Sequence, residues 1–534
     1  MKKVNKAESV GGGFISGVFI LSLSTLIVKI IGLAFKIPML SLLGMEGMGY
    51  FNSAYEIYAV LCVVSTAGLP VALSILISSA RAFEDNAKIV KIYKAAVRIF
   101  FTLGVLGTVS MLAFAKPLSN LIGNDDAFYC ILAIAPALFF ICLASAIRGY
   151  CQGFEDMKPT AISQLIEAIC KLGFGVFFAV LGIKKGLSVP MISALAVLGI
   201  TLGTALSLFY LTVARRKHKI DILNSDGEKA SAYYRELLKI AFPITLGSAV
   251  ISLTRIFDMA LIMRRLQDIG VSQFRSNEIY GAYTTLALPV FSLIPSLITP
   301  ISMALIPELT VFIKKQNTVG QTETVEKALR LTSLFSMPAS LALTVFSRQI
   351  LSLLFNGQNE AIEIASPLLA LLGGSVFFSC LITTTNAILQ AYRCVGMPIF
   401  SMSVGVAVKA FTSYFLLGTK GIAEYGAPIG SLACNITVVL LNFALMLRYA
   451  KNTENALDIS RCFIKPFISS VLSIGISYAV YLWLISGTIS DFFAFLIAVV
   501  VAVLLYCLLV FLFGALSRDD IKMIPILKNI IKEK

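Results

Sequence analysis

SLSTLIVKIIGLAFKIPML, residues 22–40, and SAVISLTRIFDMALIMRRL, residues 248–266, are two versions of one pattern. Each is an apolar run long enough to cross a bilayer as a helix, with a basic residue near its middle. Alignment sets Lys29 opposite Arg255. The pattern continues outward. AGLPVALSILIS (67–78) matches SLITPISMALIP (296–307) once Pro70 is set opposite Pro300. AIRGYCQGFEDMKPT (146–160) matches AILQAYRCVGMPI (387–399) with a short gap, and Lys171 then falls near Lys409. The offset drifts slowly along the chain, as loop insertions would make it drift. The chain reads as two copies of one helical unit. An even number of spans per copy makes the copies parallel, with an axis along the membrane normal and a substrate site at their interface.

Composition agrees with a membrane protein. The 534 residues are 58% hydrophobic and only 14% charged, against about 25% charged in soluble domains. The apolar runs suit an all-α integral membrane fold rather than barrel strands. About 14 spans are expected, near 14–42, 53–80, 95–115, 128–148, 160–183, 190–213, 239–263, 281–306, 328–348, 364–392, 398–417, 428–448, 463–485 and 492–514. The first run is too long, and lacks a small-residue cleavage site, for a cleavable signal peptide. The expected organisation is an N-lobe over 1–215, a basic cytoplasmic linker over 216–238, a C-lobe over 239–450, and a final helix pair with a cytoplasmic tail over 451–534.

Most of the 44 Lys and Arg residues fall on segments sharing one side of the membrane, which places both termini in the cytoplasm. The net charge of +15 is then mainly a topology signal. Its surplus attracts anionic membrane lipids and calls for no nucleic acid. Ten cysteines lie mostly inside apolar runs without a Cys-x-x-Cys pair and read as small hydrophobes. The single histidine, His218, lies in the basic stretch RRKHKID. No metal site and no cofactor are expected, a coupling ion being left open. P-loop, Gly-x-Ser-x-Gly and His-Glu-x-x-His patterns are all missing, so no enzyme is expected.

Lys29, Lys171, Arg255 and Lys409 all fall near the middle of their spans. A basic residue there costs roughly 2.5–3.5 kcal/mol on insertion scales, so four would cost on the order of 10–14 kcal/mol uncompensated. They should face a hydrated cavity or a partner. As two pseudo-symmetric pairs they make a cationic cavity between the copies, suited to an anion such as phosphate. Plainer readings compete. Lys36 shares a helix face with Lys29, two turns and roughly 10 Å away, but lies nearer the outer surface and can snorkel. Arg255 and Asp258 are three apart, Lys171 and Glu167 four apart, so each pair can neutralise itself. Glu56 is either a coupling carboxylate or a residue at the outer end of its helix. Pro70 and Pro300 read as hinges for gating, or as static kinks.

VKIIGLAFKIPMLSLLGMEGMGYFNSAYEIYAVLCVVSTAGLPVALS, with RGYCQGFEDMKPTAISQLIEAICK, resembles the polysaccharide-biosynthesis flippases of the multidrug/oligosaccharidyl-lipid/polysaccharide transporter superfamily. It is similar in pattern to the stage V sporulation protein B group, related to the lipid II flippases. The resemblance implies two six-helix lobes in a V-shaped, MATE-like arrangement. It also implies a cationic central cavity and two C-terminal helices lining a groove for a polyprenyl tail. It implies alternating-access flipping of an undecaprenyl-diphosphate-linked saccharide from the inner to the outer leaflet of a bacterial cytoplasmic membrane. That polyprenyl-diphosphate-linked oligosaccharide would be the main partner, with cell-wall synthesis proteins as further candidates. The headgroup site would be Lys29, Lys36, Lys171, Arg255 and Lys409. Related flippases also use an arginine in the eighth span, shortly before a proline. Here that stretch, YGAYTTLALP (280–289), has none, and Arg255 is the expected substitute. The rival reading is a cation-coupled multidrug antiporter of MATE type, which should favour intramembrane carboxylates. A membrane scaffold is a third, and it gives no reason for midplane cations.

Overall fold

The computed structural model describes the backbone of residues 4–218, 231–392, 394, 396–449, 458–487 and 489–515. The expected spans fall on helical segments. By contact the chain forms two units, Met1–Thr285 and Leu286–Lys534.

The first unit holds α1 (Val4–Thr66), α2 (Gly68–Ala82), α3 (Asn86–Ala113), α4 (Ala115–Leu121), α5 (Phe128–Gly153), α6 (Lys158–Lys184), α7 (Val189–Ala214), α8 (Ser231–Asp268) and α9 (Gln273–Ala282). Apolar residues drive the helices, and local chemistry sets their ends. The Asp85 carboxylate accepts from the Lys88 N–H at the start of α3, and the Ser272 hydroxyl accepts from the Arg275 N–H at the start of α9. α1 is interrupted at Gly44, where φ is 66° and ψ is −178°. A side chain would be strained in that left-handed conformation, and glycine is not. A second interruption falls at Ala67, and Pro70 stands in the first turn of α2. There its missing N–H leaves no helical bond unmade. The apolar stretch Ile27–Arg81 therefore folds as three helical pieces rather than two straight spans. Phe35, Met39, Phe100, Ile134 and Leu138 are among the fully buried side chains of the first unit.

The second unit holds α10 (Leu288–Lys314), α11 (Thr318–Val345), α12 (Ser347–Leu354), α13 (Asn359–Ala391), α14 (Gly396–Leu417), α15 (Gly426–Tyr449), α16 (Lys465–Ser486) and α17 (Asp491–Leu512). Leu309, Leu329, Leu381, Ile388 and Val438 form its main core. The final pair docks through Phe346, whose ring meets those of Tyr481 and Phe495 at 5.8 and 5.6 Å. The Tyr481 hydroxyl donates to Asp491 and accepts from Gln349 at 2.9 Å. A five-residue π-helical turn, Tyr283–Ala287, links α9 to α10.

Twelve helices among the described residues are long and apolar enough to cross a membrane. The fourteen expected spans differ from this number for two reasons. The α1–α2 stretch counts once, and α8, which holds the seventh expected span, is not among the twelve.

Candidate anion site

Four of the five expected headgroup residues lie in the first unit. Lys29 and Lys36 are on α1, Lys171 on α6 and Arg255 on α8. Lys29 is exposed and Lys36 half-buried. Arg255 is near enough to Lys29 for the two charges to repel. The Lys36 ammonium donates to the backbone carbonyl of Thr284. It also lies within electrostatic reach of the Lys171 ammonium and the Glu56 carboxylate.

Lys171 sits among aromatic faces. Its Nζ is 4.8 Å from the Tyr55 ring centre, 4.9 Å from Phe35 and 5.6 Å from Phe51. Ring quadrupoles attract a cation at such distances, by about 0.5–2 kcal/mol each. The rings stabilise Lys171 without neutralising it. Its expected partner, Glu167, stays within electrostatic reach of Lys171, but makes its direct ion pair with Arg148, Oε2 to Nη2 at 3.1 Å. Arg148 also donates from Nε to the Ser163 hydroxyl at 3.0 Å and from Nη2 to the Ser207 hydroxyl at 3.2 Å.

Glu56 is mostly buried. Its Oε2 lies 3.9 Å from Arg255 Nη1 and accepts no hydrogen bond among the described residues. The Arg255 side chain is 60% exposed, so the pair is loose and leaves much of the guanidinium uncovered by protein. Asp258 is half-buried on α8, within electrostatic reach of Glu56. The cluster therefore sets four basic side chains against Glu56 and Asp258, with Glu167, already paired to Arg148, as the third carboxylate within electrostatic reach.

Lys409 is half-buried on α14 in the second unit. Pro300 falls within α10, and its side chain is outside the described residues. Among the described residues no group of three His, Cys, Asp or Glu side chains is arranged to hold a metal ion.

Three functional features escaped the sequence reading. Arg148 was visible only as part of the stretch RGYCQG. The structure accounts for the first three residues of that stretch. Arg148 binds Glu167, and Gly149 lets α5 approach the Pro70 backbone, where a Cβ would come within 2.8 Å. The Tyr150 hydroxyl donates to the His218 carbonyl at 2.6 Å. The ring cage around Lys171 had no signal, because Tyr55 and Phe51 precede it by over a hundred residues. The third is Thr284, whose signal was the proline five residues later.

The sequence pattern of the family described as "Polysaccharide biosynthesis protein" matches residues 14–312, and that described as "MatE" matches residues 277–415. The chain is 25% identical to stage V sporulation protein B of Bacillus subtilis, over 97% of this chain and 99% of that protein. It is 23% identical to the lipid II flippase MurJ of the same organism, over 89% of each. Among solved structures, lipid II flippase MurJ in an inward closed conformation superposes with a TM-score of 0.70 at 17% identity. That match covers 93% of this chain and 98% of MurJ. An inward-facing MATE family transporter of the MOP superfamily superposes with a TM-score of 0.63 at 13% identity, covering 80% of this chain and all of that one.

Proposed function

The chain belongs to the polysaccharide biosynthesis protein family, within the multidrug/oligosaccharidyl-lipid/polysaccharide transporter superfamily, and we propose that this multi-pass membrane transporter flips an undecaprenyl-diphosphate-linked saccharide to the outer leaflet. The observation that carries the proposal is the cluster of Lys29, Lys36, Lys171 and Arg255 inside the first unit. Glu56 and Asp258 do not balance it, Glu167 being paired with Arg148, and Lys171 is held by rings that leave its charge intact. A diphosphate supplies the missing negative charge with acceptors suited to ammonium and guanidinium groups. Similarity to stage V sporulation protein B along nearly the whole chain supports a cell-wall or spore-cortex precursor as cargo.

In this reading the headgroup enters from the cytoplasm, the side of both termini. Lys409, on the second repeat, is a further candidate headgroup residue. The lobes, 1–215 and 239–450, rock about Pro70 and Pro300. The polyprenyl tail stays in lipid, since withdrawing it costs ~0.8 kcal/mol per CH₂. Glu56 and Asp258 are the candidate coupling carboxylates, and Glu167 serves structure through Arg148. The MatE match over residues 277–415 favours a second reading, cation-coupled drug export.

Thermal unfolding of the purified protein separates the two. Lipid II should raise the melting temperature, Lys29→Ala should shrink the rise, and a cationic dye should give none. Stabilisation by the dye and not by lipid II would assign the chain to drug export.

A further inference from the structure

Lys36 is held by a backbone carbonyl that its own helix cannot satisfy. A helical carbonyl ordinarily accepts from the N–H four residues on. Over Tyr283–Ala287 the helix opens to π spacing, where the donor stands five residues on. For Thr284 that residue is Pro289, which has no N–H. Inside a membrane no water replaces the lost donor freely. The Lys36 ammonium replaces it. The rest of the turn also leans on α1: Asn52, buried, donates from Nδ2 to the Thr284 and Thr285 hydroxyls at 2.9 and 2.8 Å.

Lys36 thus serves a structural acceptor while lying within electrostatic reach of Lys171 and Glu56 in the anion site. A diphosphate oxygen is an ionised acceptor, and it bonds an ammonium more strongly than a neutral carbonyl does. We propose that the turn from Tyr283 to Pro289 is a ligand-released latch: the Thr284 carbonyl holds Lys36 when the site is empty, and a bound diphosphate draws Lys36 away and loosens the turn from α1. The latch rests on the diphosphate reading above. It gives an occupied headgroup site a direct mechanical consequence in the α9–α10 segment, and it makes Lys36 a positioning residue as well as a ligand-binding one.

The test uses the full-length wild type, Pro289→Ala, Lys36→Met and the double variant in detergent. Pro289→Ala returns an N–H to the turn. Two quantities are read: acetic-anhydride labelling of Lys36 by mass spectrometry without ligand, and affinity for farnesyl diphosphate. Pro289→Ala should raise the labelling rate and tighten binding by about tenfold, or ~1.4 kcal/mol. In the Lys36→Met background the same substitution should change binding by less than about twofold, or ~0.4 kcal/mol. Unchanged labelling in Pro289→Ala, or an equal gain in affinity without Lys36, overturns the latch. Faster labelling in a protein that ignores farnesyl diphosphate supports the carbonyl hold and overturns diphosphate as its release.

Discussion

Arg148 and Glu167 illustrate a charge pair that serves the scaffold. Arg148 is only 12% exposed and Glu167 25% exposed. Losing one partner leaves the other charged and poorly hydrated, which costs about 3 kcal/mol. Glu167→Ala should therefore lower the melting temperature clearly, while Arg148→Met with Glu167→Leu should recover much of it. Lys171 behaves differently. Lys171→Met keeps the length and the contacts with Phe35, Phe51 and Tyr55, so the melting temperature should hold. Flipping in reconstituted vesicles should fall more than about tenfold, an effect of at least ~1.4 kcal/mol on the transport step. The sequence could expose the expense of each buried cation, since a lysine inside an apolar run is visible in one dimension. It could not name the partners. Helical spacing proposed Glu167 for Lys171, but Arg148 reaches that carboxylate from α5, with Ser163 and Ser207 completing its bonds.

At the level of helices, breaks matter as much as spans. Gly44→Ala forces a side chain into left-handed backbone and should destabilise the protein by about 1–2 kcal/mol, read as a lower melting temperature. Loop ends are fastened too. Asp156, between α5 and α6, meets His218 Nε2 at 3.0 Å and Lys217 Nζ at 3.5 Å. Burial pushes the Asp156 carboxyl up, but the bonds from His218 and the Lys158 N–H and the Lys217 charge outweigh it, holding it below the usual 3.8. A depressed carboxyl stabilises above its unfolded value and ceases to do so as pH falls through the folded one. The hydrogen-exchange protection factors of residues 215–218, which correct for the intrinsic pH dependence of exchange, should be high from pH 5 to 8 and fall below 3.8. Asp156→Asn should show low protection throughout. The helices themselves were legible because twenty-residue apolar runs admit few alternatives. The interruption at Gly44 was not, because a glycine inside such a run reads equally as a packing residue.

For the whole molecule the internal repeat was the most informative pattern. It proposed six helices, six helices and a final pair, and it set Lys29 opposite Arg255; the two residues lie within electrostatic reach of each other inside the first unit. It could not place the contact boundary, which falls inside the π turn at Thr285. Asn52 and Lys36 fasten that turn to α1 through side chains that no repeat records.

Transport of an anion outward runs with an inside-negative potential. With about two charges crossing, 100 mV supplies roughly 4–5 kcal/mol. The most direct measurement is flipping of lipid II in proteoliposomes under an imposed potassium diffusion potential. The account predicts that an inside-negative potential accelerates outward flipping and that Lys29→Ala abolishes the gain. Flipping indifferent to the potential, or equal in Lys29→Ala, would contradict it.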